Sequence, residues 1–368
     1  MRTDRLREID LLRAVALVAV ALIHAGAWVT PAEAAADASP MAAVLTLARF
    51  CVPAFVFASG FLLAHVGQDR AIQLGPWLRR RWLRILGPWL CWTPVFLLAD
   101  SLSGGTGPLG PWLAFGPGHL YFLLLMAQLS LLFPALPRHA RRLGYWTAAA
   151  VALQLALMVW RTYGTLPGGW LAWPAVYLSH EEAPFWLGTF LLGCLTARLW
   201  PYLSRWERYW PAALAAAVVA AAFVLLEGSA IGGDYWRQGN AAYLWPSRLA
   251  QTMSWCLSLL WLGRRWSGAG SRLVRGLSVR SLGVYAVHPL FLSLLGPFTA
   301  PMPVAVRVPL LMATALAGAY ATVALIARTR LGAFAMGDQA RSSKVSETET
   351  RIYEQVQPAS AGNAAIRP

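Results

Sequence analysis

The chain has 368 residues, of which 58% are hydrophobic and only 13% charged, and its mean hydropathy is +0.51. Soluble globular domains carry about 25% charged residues, so this composition excludes an ordinary soluble protein and predicts an integral membrane protein. The formal net charge of +15 would also suit nucleic-acid binding, so the positions of the basic residues must decide between the two.

The first apolar run, 9–29, carries two ionisable side chains, Arg13 and His24. At ~100° per residue, eleven residues bring both side chains to within ~20° of one helix face, ~16 Å apart along the axis. An arginine in such a segment costs at least ~2.5 kcal/mol and marks a functional site or a polar cavity. Two simpler interpretations stay open: Arg13 snorkels to the headgroups, and His24 is a satisfied interior histidine.

Apolar runs of about 17–25 residues predict an all-α, polytopic fold with about ten transmembrane helices. Their ranges are 10–29, 43–66, 84–100, 119–137, 144–162, 183–199, 210–228, 243–263, 280–298 and 304–327. Most of the 31 basic residues fall in alternate loops between these ranges. By the positive-inside rule, both termini are then cytoplasmic and the number of spans is even. The charge is thus a topology signal, and we expect no nucleic-acid partner.

The N-terminal segment has some features of a secretory signal peptide, with small residues near 32–36 that resemble a cleavage site. We expect no cleavage, because the apolar run is longer than the usual 7–15 residues and its removal would break the even count. Residues 1–335 are predicted to form the membrane domain. Residues 336–368, rich in Ser, Glu, Gln and Ala, are predicted to form a flexible cytoplasmic tail.

Four further stretches place polar groups at or near membrane depth. They are 53–61, which contains Ser59; the basic cluster with Arg81 and Arg84; 119–123, which begins with His119; and 281–289, which contains Tyr285 and His288. Arg81 and Arg84 share one helix face and could hold phosphates, although a basic loop against anionic lipid is the simpler interpretation. Close helix packing alone would explain Gly60. The proline after His288 frees backbone carbonyls and indicates a nearby polar cavity.

Other site types find no support in the sequence. The four cysteines, Cys51, Cys91, Cys194 and Cys256, occur singly and are expected to pack as small apolar residues. The chain has no zinc-site spacing, P-loop, nucleophile elbow or dinucleotide fingerprint. We therefore expect no metal site and no bound cofactor.

Taken in order, these stretches resemble acyltransferase family 3, which includes acetylases of O-antigen, Nod factors and peptidoglycan and the macrolide acyltransferases. The resemblance is carried by the Arg–ten residues–His pattern of the first helix, PxFxFxSGF at 53–61, RxxR at 81–84, HLxFL at 119–123 and SxGxYxxHP at 281–289. Two departures occur. Gly87 stands before Pro88 where the family usually has the proline sooner, and Tyr121 replaces a tryptophan.

The resemblance implies transfer of an acyl group, most often acetyl from acetyl-CoA, to a hydroxyl of a glycan, a lipid-linked sugar or a natural product. The expected setting is the inner membrane, in polysaccharide modification of the cell envelope. Arg81 and Arg84, together with Arg13, would bind the CoA phosphates. His24 and Arg13 would be the catalytic residues, with His24 as general base or covalent acyl carrier. The expected substrate contacts are Ser59, His119, Tyr285 and His288. A separate extracytoplasmic partner would receive the acyl group where the membrane domain does not act alone.

A proton-coupled transporter of a glycolipid or acyl precursor is the alternative from another class. Buried arginine and histidine would suit it, with protonation of His24 or His288 as the coupling step. The absence of an internal repeat and the lack of a mid-membrane carboxylate argue against it.

Overall fold

The computed structural model describes residues 6–30, 33, 40–67, 74–102, 118–137, 139–164, 182–232, 239–266, 270–329 and 332–337. Within these ranges every regular element is a helix, which confirms the all-α class. Apart from residues 336 and 337, the predicted tail at 336–368 lies outside the described residues. Arg2 and Arg5 at the N-terminus also lie outside them. The division of the chain at residue 335 therefore stays a prediction.

Twelve α-helices occur in the described part of the chain. They are α1 (Arg7–Gly26), α2 (Met41–Ala48), α3 (Cys51–Val66), α4 (Leu74–Leu102), α5 (Tyr121–Leu132), α6 (Ala140–Tyr163), α7 (Leu187–Leu203), α8 (Trp210–Ala230), α9 (Ser247–Arg265), α10 (Gly270–Thr299), α11 (Val304–Ile326) and α12 (Gly332–Met336). Short 3₁₀ turns at Gly118–Leu120, Phe133–Ala135 and Ser204–Tyr209 join or extend several of them.

Eight helical stretches of the described chain are long and apolar enough to cross a membrane. The predicted count of ten is not confirmed, and two features explain the difference. The stretch Leu187–Ala230 is continuous in helical structure and includes two predicted spans, α7 and α8, joined by a 3₁₀ turn. Helix α9, predicted as the eighth span, carries Arg248, Gln251, Arg264 and Arg265 and is too polar to qualify.

Helix α1 lies inside the bundle and not at its lipid-facing surface. It packs against α3, α9, α10 and α11, and most of its apolar side chains are buried. Its polar residues near the N-terminal end also point inward: Ser278 donates to the Asp10 carboxylate at 2.6 Å, and the Trp200 indole donates to Glu8 at 2.9 Å. Arg13 and His24 thus stand on a helix surrounded by protein.

Two glycines allow α3 and α7 to cross in direct backbone contact. A Cβ atom at Gly60 would lie 2.1 Å from the carbonyl oxygen of Phe190, and one at Gly193 would lie 2.1 Å from that of Phe57. Small residues at a membrane helix crossing permit this approach. Close packing therefore accounts for Gly60.

We expect Gly60→Ala to destabilise the folded protein by about 1–3 kcal/mol, because the new methyl group would push two backbones apart. The matched control is Gly144→Ala on α6, where an added Cβ meets nothing within 4 Å and the gain in helix propensity is about 0.5–1 kcal/mol. Thermal unfolding of both variants in detergent, monitored by size-exclusion chromatography, measures the difference between their midpoints. Equal midpoints would show that the crossing tolerates a side chain.

Helix α4 begins at Leu74, ten residues before the predicted start of the third span. Arginine is a good helix former, and Pro76 fits the first turn of a helix, so the basic cluster continues the helix instead of forming a loop. Arg81 and Arg84 consequently have fixed directions on a helix face.

A group of hydrogen bonds around Glu33 fixes the chain just after α1. The Thr30 N–H and hydroxyl donate to the Glu33 carboxylate at 2.7 and 2.8 Å, and these bonds hold the pKa of that carboxyl below its usual range. Arg307 on α11 donates to Glu33 at 2.8 Å and to the Trp28 carbonyl. The end of α1 that carries His24 is thereby anchored to α11.

Candidate active site

Three histidines from distant parts of the chain meet at one point in the bundle. His24 lies on α1, His288 on α10 and His119 in the 3₁₀ turn before α5. The His24 and His288 rings stack with centroids 4.9 Å apart, and the His119 ring stands edge-on at 5.8 Å from both. His288 is fully buried, whereas His24 and His119 remain partly exposed.

The hydrogen bonds of this cluster determine which nitrogen of His24 carries the lone pair. His288 Nδ1 lies 2.9 Å from the Tyr285 carbonyl oxygen, and because a carbonyl only accepts, this nitrogen is protonated. In the neutral ring His288 Nε2 then accepts, and His24 Nδ1, at 2.9 Å, donates to it. His24 Nε2 is therefore unprotonated and able to take a proton or an acyl group.

His119 and Tyr285 support each other beside this pair. The His119 ring donates from Nε2 to the Ala286 carbonyl at 3.2 Å, and the Tyr285 hydroxyl donates to the His119 backbone carbonyl. Their rings lie 5.4 Å apart, and Phe96 of α4 packs on the other side of His119 at 5.0 Å. The turn before α5 is thus held against α10 by polar bonds and ring contacts.

A cavity of about 730 Å³ lies on the Arg13 side of the cluster. It is lined by parts of α1, α3, α4, α5 and α10. Its polar lining side chains are Arg13, Ser59, Arg81, Arg84, Ser130, Ser281 and Tyr285. The remaining lining residues are almost all apolar, including Phe55, Ile85 and Phe122. The cavity therefore combines a cluster of three arginines with a hydrophobic interior.

Arg13 is held in place at this cavity by a hydrogen bond to α10. Its Nη2 donates to the Ser281 hydroxyl at 2.7 Å, and it lines the cavity together with Arg81 and Arg84. In the structure, Arg13 therefore points into the cavity and does not snorkel toward the lipid headgroups. Tyr285 also lines the cavity and contacts His119, so it connects the space near the arginines with the three histidines.

The eight predicted site residues fall into two groups, which meet at Tyr285. Arg13, Ser59, Arg81, Arg84 and Tyr285 line the cavity.

 The other three, His24, His119 and His288, form the histidine cluster. The structure thus brings all eight predicted residues into two adjoining groups.

Two buried arginines near the cluster were not singled out from the sequence. Arg248 is 1% exposed and donates to the carbonyls of Ala242 and Thr46. Arg49 is also buried, lies over the Tyr243 ring at 5.3 Å and interacts electrostatically with His24. The available sequence signal was the position of Arg49, one helical turn before the 53–61 motif.

In the part of the chain that the structure describes, no group of three or more His, Cys, Asp or Glu side chains could hold a metal ion. In the histidine cluster, His288 uses Nδ1 for a backbone carbonyl and Nε2 for His24. Its nitrogens are thus engaged in fixing the neighbouring ring.

Comparison with known proteins gives one match that covers most of the chain. A family model described as an acyltransferase domain matches residues 6–324. No curated protein and no solved structure matches the chain. The matched range includes every residue of the cavity and of the histidine cluster.

Proposed function

The chain belongs to acyltransferase family 3 and is a membrane acyltransferase, and from that premise we propose which groups it transfers. The proposed donor is cytoplasmic acyl-CoA, most often acetyl-CoA, used as a substrate and not as a bound cofactor. The proposed acceptor is a hydroxyl of a glycan, a lipid-linked sugar or a natural product. The proposed location is the cytoplasmic (inner) membrane, where polysaccharides of the cell envelope are modified.

The observation that carries this proposal is a basic cavity that adjoins, through Tyr285, the histidine cluster that contains His24. Arg13, Arg81 and Arg84 line the cavity, and guanidinium groups bind phosphates through paired, charge-assisted hydrogen bonds. The apolar part of the cavity suits the long arm of CoA. A thioester entering past the arginines would reach Tyr285 and, behind it, the cluster with His24.

His24 Nε2 supports two routes of transfer. As a general base it removes the proton of the acceptor hydroxyl, whose oxygen then attacks the thioester carbonyl while the C–S bond breaks and CoA leaves as its thiol. As a nucleophile it first takes the acyl group from the thioester, and the hydroxyl then attacks the acyl-imidazole and restores the free ring. Arg49, which interacts electrostatically with His24, is the proposed group for stabilising the negative charge that develops on the carbonyl oxygen.

The proposed orientation rests on the charge pattern of the loops. With both termini cytoplasmic, the arginine end of the cavity opens toward the cytoplasm, where CoA is available. His24 lies ~16 Å further along α1, toward the side where an exported acceptor would wait. The transfer would then carry an acyl group across the membrane interior.

Labelled acetyl-CoA tests the proposed function directly. Membranes from expressing cells are incubated with [¹⁴C]acetyl-CoA, and label is expected in an acceptor glycan or natural product or on the protein itself. Membranes that carry the His24→Ala protein provide the control. Movement of a glycolipid or acyl precursor without transfer of label would instead support the transporter alternative.

We expect Arg81→Ala and Arg84→Ala each to raise the KM for acetyl-CoA by about 10-fold, because each removes a charge-assisted hydrogen bond to a phosphate. The kcat is expected to change little, since neither residue reaches the histidines. Arg79→Ala is the matched control, because Arg79 is exposed on the same helix and does not line the cavity. Steady-state kinetics that give the same KM for all four proteins would remove the proposed phosphate site.

We expect His288→Leu to lower kcat by about 10- to 100-fold, the usual effect of removing a group that orients a reactive ligand or side chain. Without the acceptor at His288 Nε2, His24 Nδ1 is no longer bound as a donor and the His24 ring loses its fixed tautomer. His288→Gln retains an acceptor oxygen and is expected to recover part of the rate. A pH–rate profile identical to that of the wild type in His288→Leu would contradict this positioning role.

A further inference from the structure

The short helix α12 packs behind the part of the cavity wall that α4 and α10 form. It contacts α4, α10 and α11, and both α4 and α10 supply residues that line the cavity. The match to the family model ends at residue 324, so α12 lies beyond the matched range. None of the residues that the structure describes in α12 lines the cavity, and the proposed function leaves this helix without a role.

Helix α12 meets α4 at two points. A Cβ atom at Gly87 would lie 2.6 Å from the Phe334 carbonyl oxygen, so the two main chains are in direct contact there. Further along α4, the Trp92 indole donates to the Ala335 carbonyl at 3.0 Å. These two contacts lie ~7.5 Å apart along the axis of α4, and together they fix the position and the direction of α12 on that helix.

Gly337, directly after α12, lies against the main chain of Arg84. A Cβ atom at Gly337 would clash with the Arg84 carbonyl oxygen, and the φ of 61° at Gly337 is in the left-handed region that favours glycine. Pro88 stands one helical turn after Arg84 and has no N–H to donate to this carbonyl, so a second segment can approach the oxygen closely. Arg84 lines the cavity, and the contact therefore reaches the main chain of a proposed phosphate-binding residue.

The same segment, 332–337, also packs on α10. A Cβ atom at Gly337 would lie 2.8 Å from Cδ2 of Leu282, which lines the cavity. A Cβ atom at Gly283 would lie 2.8 Å from the sulfur of Met336, whose side chain is buried. The segment therefore joins the two helices that carry Arg84 and Leu282 on opposite sides of it.

We propose that the segment 332–337 positions Arg84 for the acyl donor by holding α4 against α10. This inference rests on the proposed function, in which Arg81 and Arg84 bind the CoA phosphates. A guanidinium binds a phosphate through paired hydrogen bonds that require a fixed direction, and a misplacement of about 1 Å can cost about 100-fold in rate. Trp92 and Gly337 are thus positioning residues, which act through Arg84 and not by contact with the donor.

Two variants of the full-length protein in membranes test this role. Trp92→Phe removes the indole N–H that bonds Ala335, and Gly337→Ala places a methyl group against the Arg84 carbonyl. We expect each variant to raise the KM for acetyl-CoA by about 3- to 10-fold, the equivalent of one hydrogen bond. The kcat is expected to change little, because the bond between His24 and His288 joins α1 to α10 and does not involve α12.

Two matched controls carry the same kinds of change away from the cavity. Trp261→Phe removes an indole N–H that donates to the Leu203 carbonyl at 2.9 Å, between α9 and α7. Gly232→Ala introduces a side chain at a φ of 65°, in the same left-handed region as Gly337, with nothing within 4 Å of the new Cβ. Thermal unfolding measures the stability that each variant loses, and we expect both controls to keep the wild-type KM.

A double-mutant cycle with Arg84 separates positioning from general damage. In the Arg84→Ala background the side chain to be positioned is absent, so Trp92→Phe and Gly337→Ala should raise the KM no further. A general loss of stability would act in both backgrounds and give additive effects. The inhibition constant of adenosine 3′,5′-bisphosphate against acetyl-CoA is the second readout. It should rise together with the KM in both variants, because Arg84 binds the phosphates.

The outcomes separate this inference from the proposed function. With an active wild type, an unchanged KM or nucleotide inhibition constant in either variant that inserts normally overturns the positioning role and leaves acyl transfer intact. An equal rise in the matched control, or additive effects with Arg84→Ala, also overturns it. An unchanged KM in Arg84→Ala removes the phosphate site and the positioning role with it. A wild type that transfers no acetyl group overturns the proposed function as a whole.

Discussion

His24→Ala is expected to abolish measurable acyl transfer, with a loss in kcat of about 10²- to 10⁴-fold, the contribution of a positioned general base. The reason is that His24 Nε2 carries the lone pair, since Nδ1 donates to His288. Within the stacked pair, no other nitrogen is placed in the same way, because His288 Nδ1 faces a backbone carbonyl and His288 Nε2 accepts from His24. Transfer of radiolabel from acetyl-CoA, normalised to protein abundance in the membrane, measures the effect.

His139→Ala is the matched control for the His24 substitution. His139 is exposed just before α6, so its loss is expected to leave both transfer and abundance unchanged. Trapping of label on wild-type protein, and its absence in the His24→Ala protein, would identify His24 as a covalent acyl carrier. A well-expressed His24→Ala protein with normal transfer would reject both proposed routes.

The sequence was sufficient to predict that Arg13 and His24 of α1 face the protein. The helical period places Arg13 and His24 on one face, and the cost of burying an arginine points that face toward protein. The structure agrees, because Arg13 lines the cavity and His24 joins the histidine cluster. Local periodicity is reliable here because the two residues belong to one helix.

The contact between His24 and His288 could not be predicted in the same way. The two residues are 264 positions apart, and no spacing rule specifies which faces of two distant helices pack together. The family resemblance implied that both belong to the site, but it assigned His288 to the substrate. The tautomer of His24 depends on the Tyr285 carbonyl and on the position of His288, and neither is encoded in a motif.

The predicted count of ten spans stays unconfirmed, and α9 shows why apolar runs alone do not decide it. Helix α9 was predicted as a span, yet two of its arginines lie near its C-terminal end and the buried Arg248 lies near its start. The buried arginine is stabilised by the Thr46 and Ala242 carbonyls, which come from other parts of the fold. Hydropathy averages cannot represent such tertiary compensation.

Arg13→Ala is expected to lower kcat/KM for acetyl-CoA by about 100-fold. Arg13 is a partly buried, hydrogen-bonded charge, and this loss lies within the range of about 2–5 kcal/mol for truncating one partner of a buried charge pair. Arg13 both lines the cavity and donates to Ser281, so the loss would affect donor binding and the alignment of α10 with α1. Steady-state kinetics at varied acetyl-CoA concentration measure it. Arg141→Ala, at an exposed position on α6, is the control and should match the wild type.

Two further variants separate the charge of Arg13 from its hydrogen bond. Arg13→Lys keeps the charge but lacks the planar guanidinium, and it should retain part of the activity if the phosphates are bound mainly by charge. Ser281→Ala removes one hydrogen-bond partner of Arg13 and is expected to cost about 2- to 10-fold. If Ser281→Ala were as damaging as Arg13→Ala, the arginine would act by joining α1 to α10, and the donor site would then depend on Arg81 and Arg84 alone.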